Sequence, residues 1–373
     1  LARLRLARAE GLGPATVRAL IARAGSAEAA IEDLPRLARG RAVTLPAPAA
    51  IAREEEALAA LGARLLLDTD ALYPQALAMT HDAPIALAVA GDPALLSRRA
   101  VAIVGARNAS AGARIIAERL AKELAEAGIA VVSGLARGVD TAAHEGALAA
   151  GGITIAAVAG GLDKPYPPQN AALQARIAAS GAVVAEAPLG TAALARLFPR
   201  RNRIVAGLSL ATVVVEAALK SGSLITARLA LEAGRELMAV PGSPLDPRAR
   251  GANDLLRQGA TLVETAEDVL AALPAGPSPA PLLRPDRPTL PEVEEVPEPA
   301  PESGWDPSET AEDEIAEAVR HVTALLSAAP VSVDEVLRRC PCSASAVNAA
   351  LLELDLEGRI DRLPGNRVAL AAR

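Results

Sequence analysis

Residues 198–242 read FPRRNRIVAGLSLATVVVEAALKSGSLITARLALEAGRELMAVPG, and they decide the fold. A basic cluster opens the stretch: Arg200, Arg201 and Arg203, with Asn202 inside it. An apolar, β-branched run follows over 212–215 and ends on Glu216. Lys220-Ser221-Gly222-Ser223 then leads into residues of helical period, and a second short strand over 237–240 closes on Pro241-Gly242. Strand, polar glycine loop, helix, strand is the grammar of a parallel βαβ unit. The loop falls where a strand ends and a helix begins, the edge at which open α/β sheets bind ligands. Free N–H groups at a helix start, with Lys220 beside them, suit an anion.

The pattern recurs upstream. Residues 101–104 read as a buried strand ending in Gly105-Ala106-Arg107-Asn108, with a helix over about 109–127. A strand at 129–132 ends in Ser133-Gly134, and a helix starts near Asp140, whose side chain can cap it. A strand at 153–158 ends in Gly160-Gly161, followed by a helix at 169–179 and a strand at 182–185. Residues 65–67 and 85–89 precede as strands, and 252–258, 261–264 and 266–273 follow as helix, strand, helix. The alternation predicts an α/β domain over 63–273, a doubly wound parallel sheet.

The flanks differ. Residues 1–60 read as short helices around a Gly11-Leu12-Gly13-Pro14 turn, a small SAM-like or helix-hairpin-helix-like packing domain. Residues 274–309 are rich in Pro, Glu and Ala, the composition of an extended linker. Residues 310–373 regain periodicity as three helices and a hairpin across Pro364-Gly365-Asn366, a winged-helix pattern. Its helix in the recognition position, 345–357, has no Lys or Arg, which major-groove reading normally uses. DNA binding by the middle domain is therefore expected not to need this domain.

Composition narrows the classes. The chain of 373 residues carries a net charge of −6, but residues 100–242 are net +4 and residues 274–314 net −9. A mildly basic middle domain beside an acidic segment is compatible with a phosphate-rich partner. No apolar run is long enough to span a membrane and no signal-peptide pattern is present, so a cytoplasmic protein is expected. The first residue is Leu1 rather than Met, so a short N-terminal segment is expected to be missing. Cys340 and Cys342 are too close and too few for a disulfide framework, and lack the other ligands of a zinc site.

None of the three glycine loops fits the dinucleotide or P-loop spacing. Converging on one sheet edge with Arg107, Arg201, Arg203 and Lys220, they point to a polyanion site. No catalytic constellation stands out: His144 lies inside a helical stretch, His81 and His321 lie elsewhere, and Ser133, Ser221 and Ser223 lack His–Asp partners. Asp163 and Glu216 are placed to cap or to pair with arginines. No metal or cofactor is expected.

The segments VAIVGARNAS, SGLARGVDTAAHEGAL, GLDKPYPPQN, FPRRNRIVAGLS and SGSLITARLALEAGRELMAVPG occur in that order over 101–242. Together they resemble the DNA-processing protein family DprA/Smf, whose commonest layout the flanking domains also resemble. The resemblance implies an extended Rossmann-like fold that binds single-stranded DNA and loads a RecA-type recombinase onto it in natural transformation. It also implies a homodimer through the Rossmann-like domain, and no enzyme activity. Carried over by position, Gly105 and Arg107, the Arg201-Asn202-Arg203 run, Lys220 and the Ser221-Gly222-Ser223 backbone would hold phosphates. Gly134 and Gly160 would let the strand approach the main chain. The chain departs from the family pattern at Ala106, Ala159 and Ala185, where Ser, Gly and Ser are frequent. Only Phe198 and Tyr166 lie near the motifs, so binding is expected to lean on phosphates and to be largely independent of sequence.

Two other readings stand beside this one. A nucleotide-hydrolysing enzyme of the lysine-decarboxylase-like kind would use the same pocket, although its PGGxGTxxE signature is absent. A duplex-binding regulator would act through the winged helix. For self-association, the physical support is the late apolar strand at 237–240, expected at or near the sheet edge, where a partner would cover it. The alternative is cover by the helices around Leu255 and Val269.

Overall fold

The computed structural model describes residues 1–37, 43–274, 307–327, 330–363 and 366–371. Most of the linker at 274–309, and Pro364-Gly365 of the expected hairpin turn, lie outside the described residues.

Nine strands form the central sheet: β1 (Ala63–Leu67), β2 (Ala86–Gly91), β3 (Ala100–Val104), β4 (Ala130–Ser133), β5 (Thr154–Val158), β6 (Ala182–Ala185), β7 (Ala211–Val214), β8 (Glu236–Ala239) and β9 (Thr261–Leu262). Their order is β1-β2-β6-β5-β4-β3-β7-β8-β9. From β6 to β9 every pair is parallel, whereas β1 and β2 join one edge antiparallel. The doubly wound sheet expected from the alternation is therefore present, with an antiparallel addition that short apolar runs could not announce.

Strands covered on both faces send alternate residues to opposite cores. In β3, Val101 and Ile103 pack beneath helices α6 (Ala111–Glu126) and α7 (Val139–Ala149), while Ala102 and Val104 face the other way. That second core is shared with α9 (Leu197–Gly207), α10 (Ser223–Glu232) and α11 (Arg250–Arg257) through Ile204, Val205, Ala227 and Ala252. Helix α8 (Ala171–Ser180) sends Leu173 and Ile177 onto β5 and β6, where they meet Leu58 of α4 (Pro48–Ala60). α12 (Ala266–Ala272) follows β9 and buries Val269 beneath the first core. α5 (Gln75–Ala78) lies between β1 and β2.

The basic cluster at 200–203, to which the sequence alone assigns no element, is helical, lying within α9, with Pro199 in its first turn, where a missing N–H removes no helical bond. The strand expected at or near the edge, β8, lies next to it, with β9 paired outside. The sheet edge is thus completed within the chain.

The N-terminal helices are α1 (Ala2–Ala7), α2 (Pro14–Ala24), α3 (Ala27–Leu37) and α4. The C-terminal unit holds α13 (Pro307–Leu325), α14 (Val333–Arg339) and α15 (Ala344–Leu356). Its three-stranded sheet is β10 (Val331–Ser332), β12 (Arg367–Leu370) and β11 (Ile360–Leu363), in that spatial order. β10 is too short to leave a sequence signal. Helix α15, in the recognition position, packs onto α2: Leu352 joins Leu12, Val17 and Leu20 in one apolar cluster, and Thr16 Oγ1 donates to Asp355 Oδ2.

Candidate nucleic-acid interface

The chain leaves β3 for α6 on one face and β7 for α10 on the other, so neighbouring strands part at the topological switch point. A cavity of about 800 Å³ opens there. Glu216 ties its two sides together, since Oε1 accepts from the Ser110 N–H at 3.0 Å. Gly105 is required by closeness: a Cβ would lie 2.6 Å from Val139 Cγ2 and 3.0 Å from Glu216 O.

One wall is the start of α10. Its cap residue, Gly222, offers no side-chain oxygen, but the loop itself takes up the first turn: the Leu224 N–H donates to Ser221 O at 3.1 Å and the Ile225 N–H to Gly222 O at 3.2 Å, so this wall offers hydroxyls, Lys220 and the positive end of the helix. Ser221 and Ser223 hydroxyls lie 2.7 Å apart, and Ser221 Oγ accepts from the Ser223 N–H at 3.3 Å. Asn202 Nδ2 donates to Gly222 O at 3.3 Å and fixes the loop to α9. Lys220 is exposed beside it. Among the described residues neither Lys220 nor Arg107 has a carboxylate within ion-pair distance.

The opposite wall is aromatic. The Arg107 guanidinium sits 4.6 Å from the Phe198 ring centroid, and the Tyr166 ring meets Phe198 edge-on at 5.7 Å. A guanidinium over a half-buried ring that opens to solvent is held by about 0.5–1 kcal/mol, enough to orient it and weak enough to release. The chain has one Phe, two Tyr and one Trp, so half of its aromatics line this cavity. Their scarcity along the sequence argues against base stacking; their convergence in the fold supplies a stacking surface.

The expected basic run does not present itself as a run. Arg201 is buried, forms part of the floor, and donates through Nη1 to Gly134 O and, at 3.0 Å, to Ala157 O, the carbonyl ends of β4 and β5. A Cβ at Gly134 would overlap that guanidinium, so this glycine makes room for Arg201. Arg203 is buried on the far side of α9, 2.6 Å from Glu186 and 3.3 Å from Asp82. Gly160 does not line the cavity; a Cβ there would lie 2.7 Å from Thr191 O, so it serves chain packing. Asp140 does not cap α7 but accepts from the Ala136 N–H at 3.3 Å, closing the loop after β4. Burial raises the Asp140 carboxyl above its usual range, and the charge of Arg201 pulls it back.

A second cavity, of about 840 Å³, adjoins the first across the segment 191–197, and Arg201 lines both. Among the described residues, no group of His, Cys, Asp and Glu is arranged to hold a metal ion. Among them too, no helix is long and apolar enough to cross a membrane.

Residues 64–274 match the family model of DNA recombination-mediator protein A, 306–366 that of the DprA winged helix domain, and 1–57 that of the DprA-like N-terminal HHH domain. The chain belongs to the DprA/Smf family. Protein Smf of Escherichia coli is 39% identical over 299 residues, which is 80% of this chain and 75% of that protein. DNA processing protein DprA of Bacillus subtilis is 43% identical over 203 residues, covering 54% and 68%. Among solved structures, DprA from Streptococcus pneumoniae superposes with a TM-score of 0.59 at 37% identity, covering 67% of this chain and 83% of that one. DprA from Helicobacter pylori, described for its single-stranded DNA binding mode, gives a TM-score of 0.51 at 32% identity, covering 56% and 94%. As in the DprA family models, the helical and winged-helix domains flank the Rossmann-like domain.

Proposed function

We propose that this chain binds single-stranded DNA in the switch-point cavity, without sequence preference, and delivers it to a RecA-type recombinase in transformation and recombination. The carrying observation is the pairing of two walls in one cavity: the start of α10 with Lys220 and the Ser221 and Ser223 hydroxyls, and Phe198 with Arg107 above it. Phosphates take the first wall and Arg107; a base takes the aromatic face. Arg201, Asn202 and Arg203 act from behind. Arg201 adds positive field and joins β4 to β5, Asn202 pins Gly222, and Arg203 anchors α9. Gly105 and Gly134 allow the loops their close approach. The DNA-processing and single-strand names of the relatives support the same ligand.

A strand site of this kind binds steeply less well as salt rises, with a log–log slope of about −0.7 per phosphate contacted. Titrating a fluorescent oligonucleotide over a salt series tests it; a flat response, or equal affinity for duplex, refutes it. Nucleotide turnover by the purified protein would favour the enzyme reading instead.

Recombinase loading and self-association rest on the family resemblance. With β8 inside the sheet, the physical support for a dimer narrows to apolar residues such as Leu262 on β9 and Leu231 on α10, 50% and 57% exposed. A dimer would place two cavities in one particle and tighten binding of long strands. Light scattering that finds a monomer at all concentrations removes the dimer. Filament growth on protein-coated single strands that is no faster with the protein than without it removes loading.

A further inference from the structure

The second cavity lies where three domains meet. The N-terminal helices contribute the turn at 9–15, the central domain contributes α9, and the winged-helix domain contributes Arg362 and Arg367 of its β-sheet. Its lining holds seven arginines against three carboxylates, and although Glu54 and Asp355 behind the wall pair Arg8 and Arg362, a positive surplus remains. No Phe, Tyr or Trp lines it, and its one aromatic ring is that of His81. A site rich in cations and poor in stacking surface favours phosphate over bases.

Two details separate it from an idle gap between domains. Arg196 is exposed at the start of α9 and, among the described residues, has no ion-pair partner. Arg203 is only 5% exposed, and its Nη1 is buried without a hydrogen-bond partner among the described residues, although Nε and Nη2 are both engaged. A buried guanidinium nitrogen left unpaired is costly, which marks a place where an acceptor belongs.

We infer that this junction cavity is a second subsite for the strand held at the switch point, taking the phosphates that continue past the segment 191–197. The inference rests on the switch-point cavity being the single-strand site. The two cavities share Arg201 in their walls, so a strand leaving the Phe198 face meets Arg196 and Arg200 next, and then the wing. The winged-helix domain would thus act through its β-sheet edge and not through α15. A short strand would fill the first cavity alone; a longer one would engage both, and two linked sites bind far more tightly than either.

The test uses the full chain and two oligothymidylates, of about six and about twenty nucleotides, bracketing one site and more than one. Wild-type protein should bind the longer at least about tenfold more tightly. In R196E/R200E that advantage should vanish, and the salt slope for the long strand should shallow by about 0.7 for each phosphate no longer held. Affinity for the short strand should be unchanged, which also reports that the variant is folded. The milder R362Q should lose part of the advantage without touching short-strand binding. If the long strand keeps its advantage in R196E/R200E, the subsite is wrong while the first cavity stands. If wild type binds neither strand, the proposed function fails first. If polyglutamate removes the long-strand advantage as effectively as DNA of equal charge, the cavity takes acidic peptide and the inference is overturned.

Discussion

At the switch point, Arg107 and Lys220 stand exposed and, among the described residues, unpaired with carboxylates, beside the positive end of α10 in an open cavity. In the winged-helix domain the helix that would enter a groove does the reverse. α15 carries no Lys or Arg, sinks Leu352 into the core of the N-terminal helices, and buries Asp355 between Thr16 and Arg362. Both regions have architectures used for nucleic acid. Only the first leaves its cations unspent by the protein itself. What distinguishes an interface from a fold motif is therefore what remains unsatisfied.

The comparison breaks most directly at the first region. R107E/K220E should lower single-strand affinity by about two orders of magnitude or more, since each charge-assisted hydrogen bond is worth about 1.5–3 kcal/mol and reversal adds repulsion. Anisotropy titration, with circular dichroism to confirm folding, reads the effect. Near-wild-type affinity in the folded double variant would move the site elsewhere.

F198A separates the two walls. Stacking on an aromatic face contributes about 1–3 kcal/mol per base, so affinity should fall roughly 5- to 100-fold while the salt slope stays as it was. K220Q should do the opposite in slope, shallowing it by about 0.7. If F198A changes the slope as K220Q does, the ring merely positions Arg107.

The sheet, the glycine loops and the order of the elements were legible because parallel strands buried on both faces leave long apolar runs closed by glycine. The loop at 220–223 was legible for the same reason. The orientation of the arginines was not. Arg201 and Arg203 are adjacent to Asn202 in sequence, yet successive positions of α9 face different directions, one to the strand ends and one to Glu186. With α9 unrecognised, a helix and an exposed basic run look alike. The closure of α15 was half visible: its lack of cations argued against DNA, but its partner α2 lies more than three hundred residues away in sequence. The pairing of Phe198 with Arg107 similarly joins residues of separate elements, which no local pattern records.

A buried histidine of α7 should shape how the fold responds to acid. His144 is fully buried; Thr154 Oγ1 donates to Val131 O at 2.9 Å, so His144 Nδ1 must be the donor in its 2.7 Å bond to that hydroxyl. Nε2 is left without a partner, and burial pushes the imidazole pKa down to about 3. The unfolded chain thus binds a proton from about pH 6.5 downward that the folded chain refuses. This loss of stability is absent above about pH 6.5 and grows as pH falls toward about 3, at up to about 1.4 kcal/mol per pH unit. Asp140, its carboxyl raised by burial, opposes this as it takes up its proton in the fold. H144Q should therefore flatten the acid limb of a urea-denaturation series relative to wild type. An unchanged limb would mean that His144 is protonated in the fold.

The smallest expected effect lies on α15, and it tests the closed half of the comparison. Glu353 is about one-third exposed and 3.8 Å from Arg23 of α2. If α15 read DNA, E353K would replace a repelling charge with an attracting one on the reading surface, and duplex affinity would rise by about an order of magnitude or more. If α15 is a packing helix, the variant loses one partly exposed ion pair, worth about 0–1 kcal/mol, and gains a like charge beside Arg23. Duplex and single-strand affinities should then stay within about twofold, while hydrogen exchange in α2 and α15 speeds slightly as their packing loosens. A rise in duplex affinity with no change in exchange would show that α15 leaves α2 to reach DNA, and would erase the distinction drawn between the two regions.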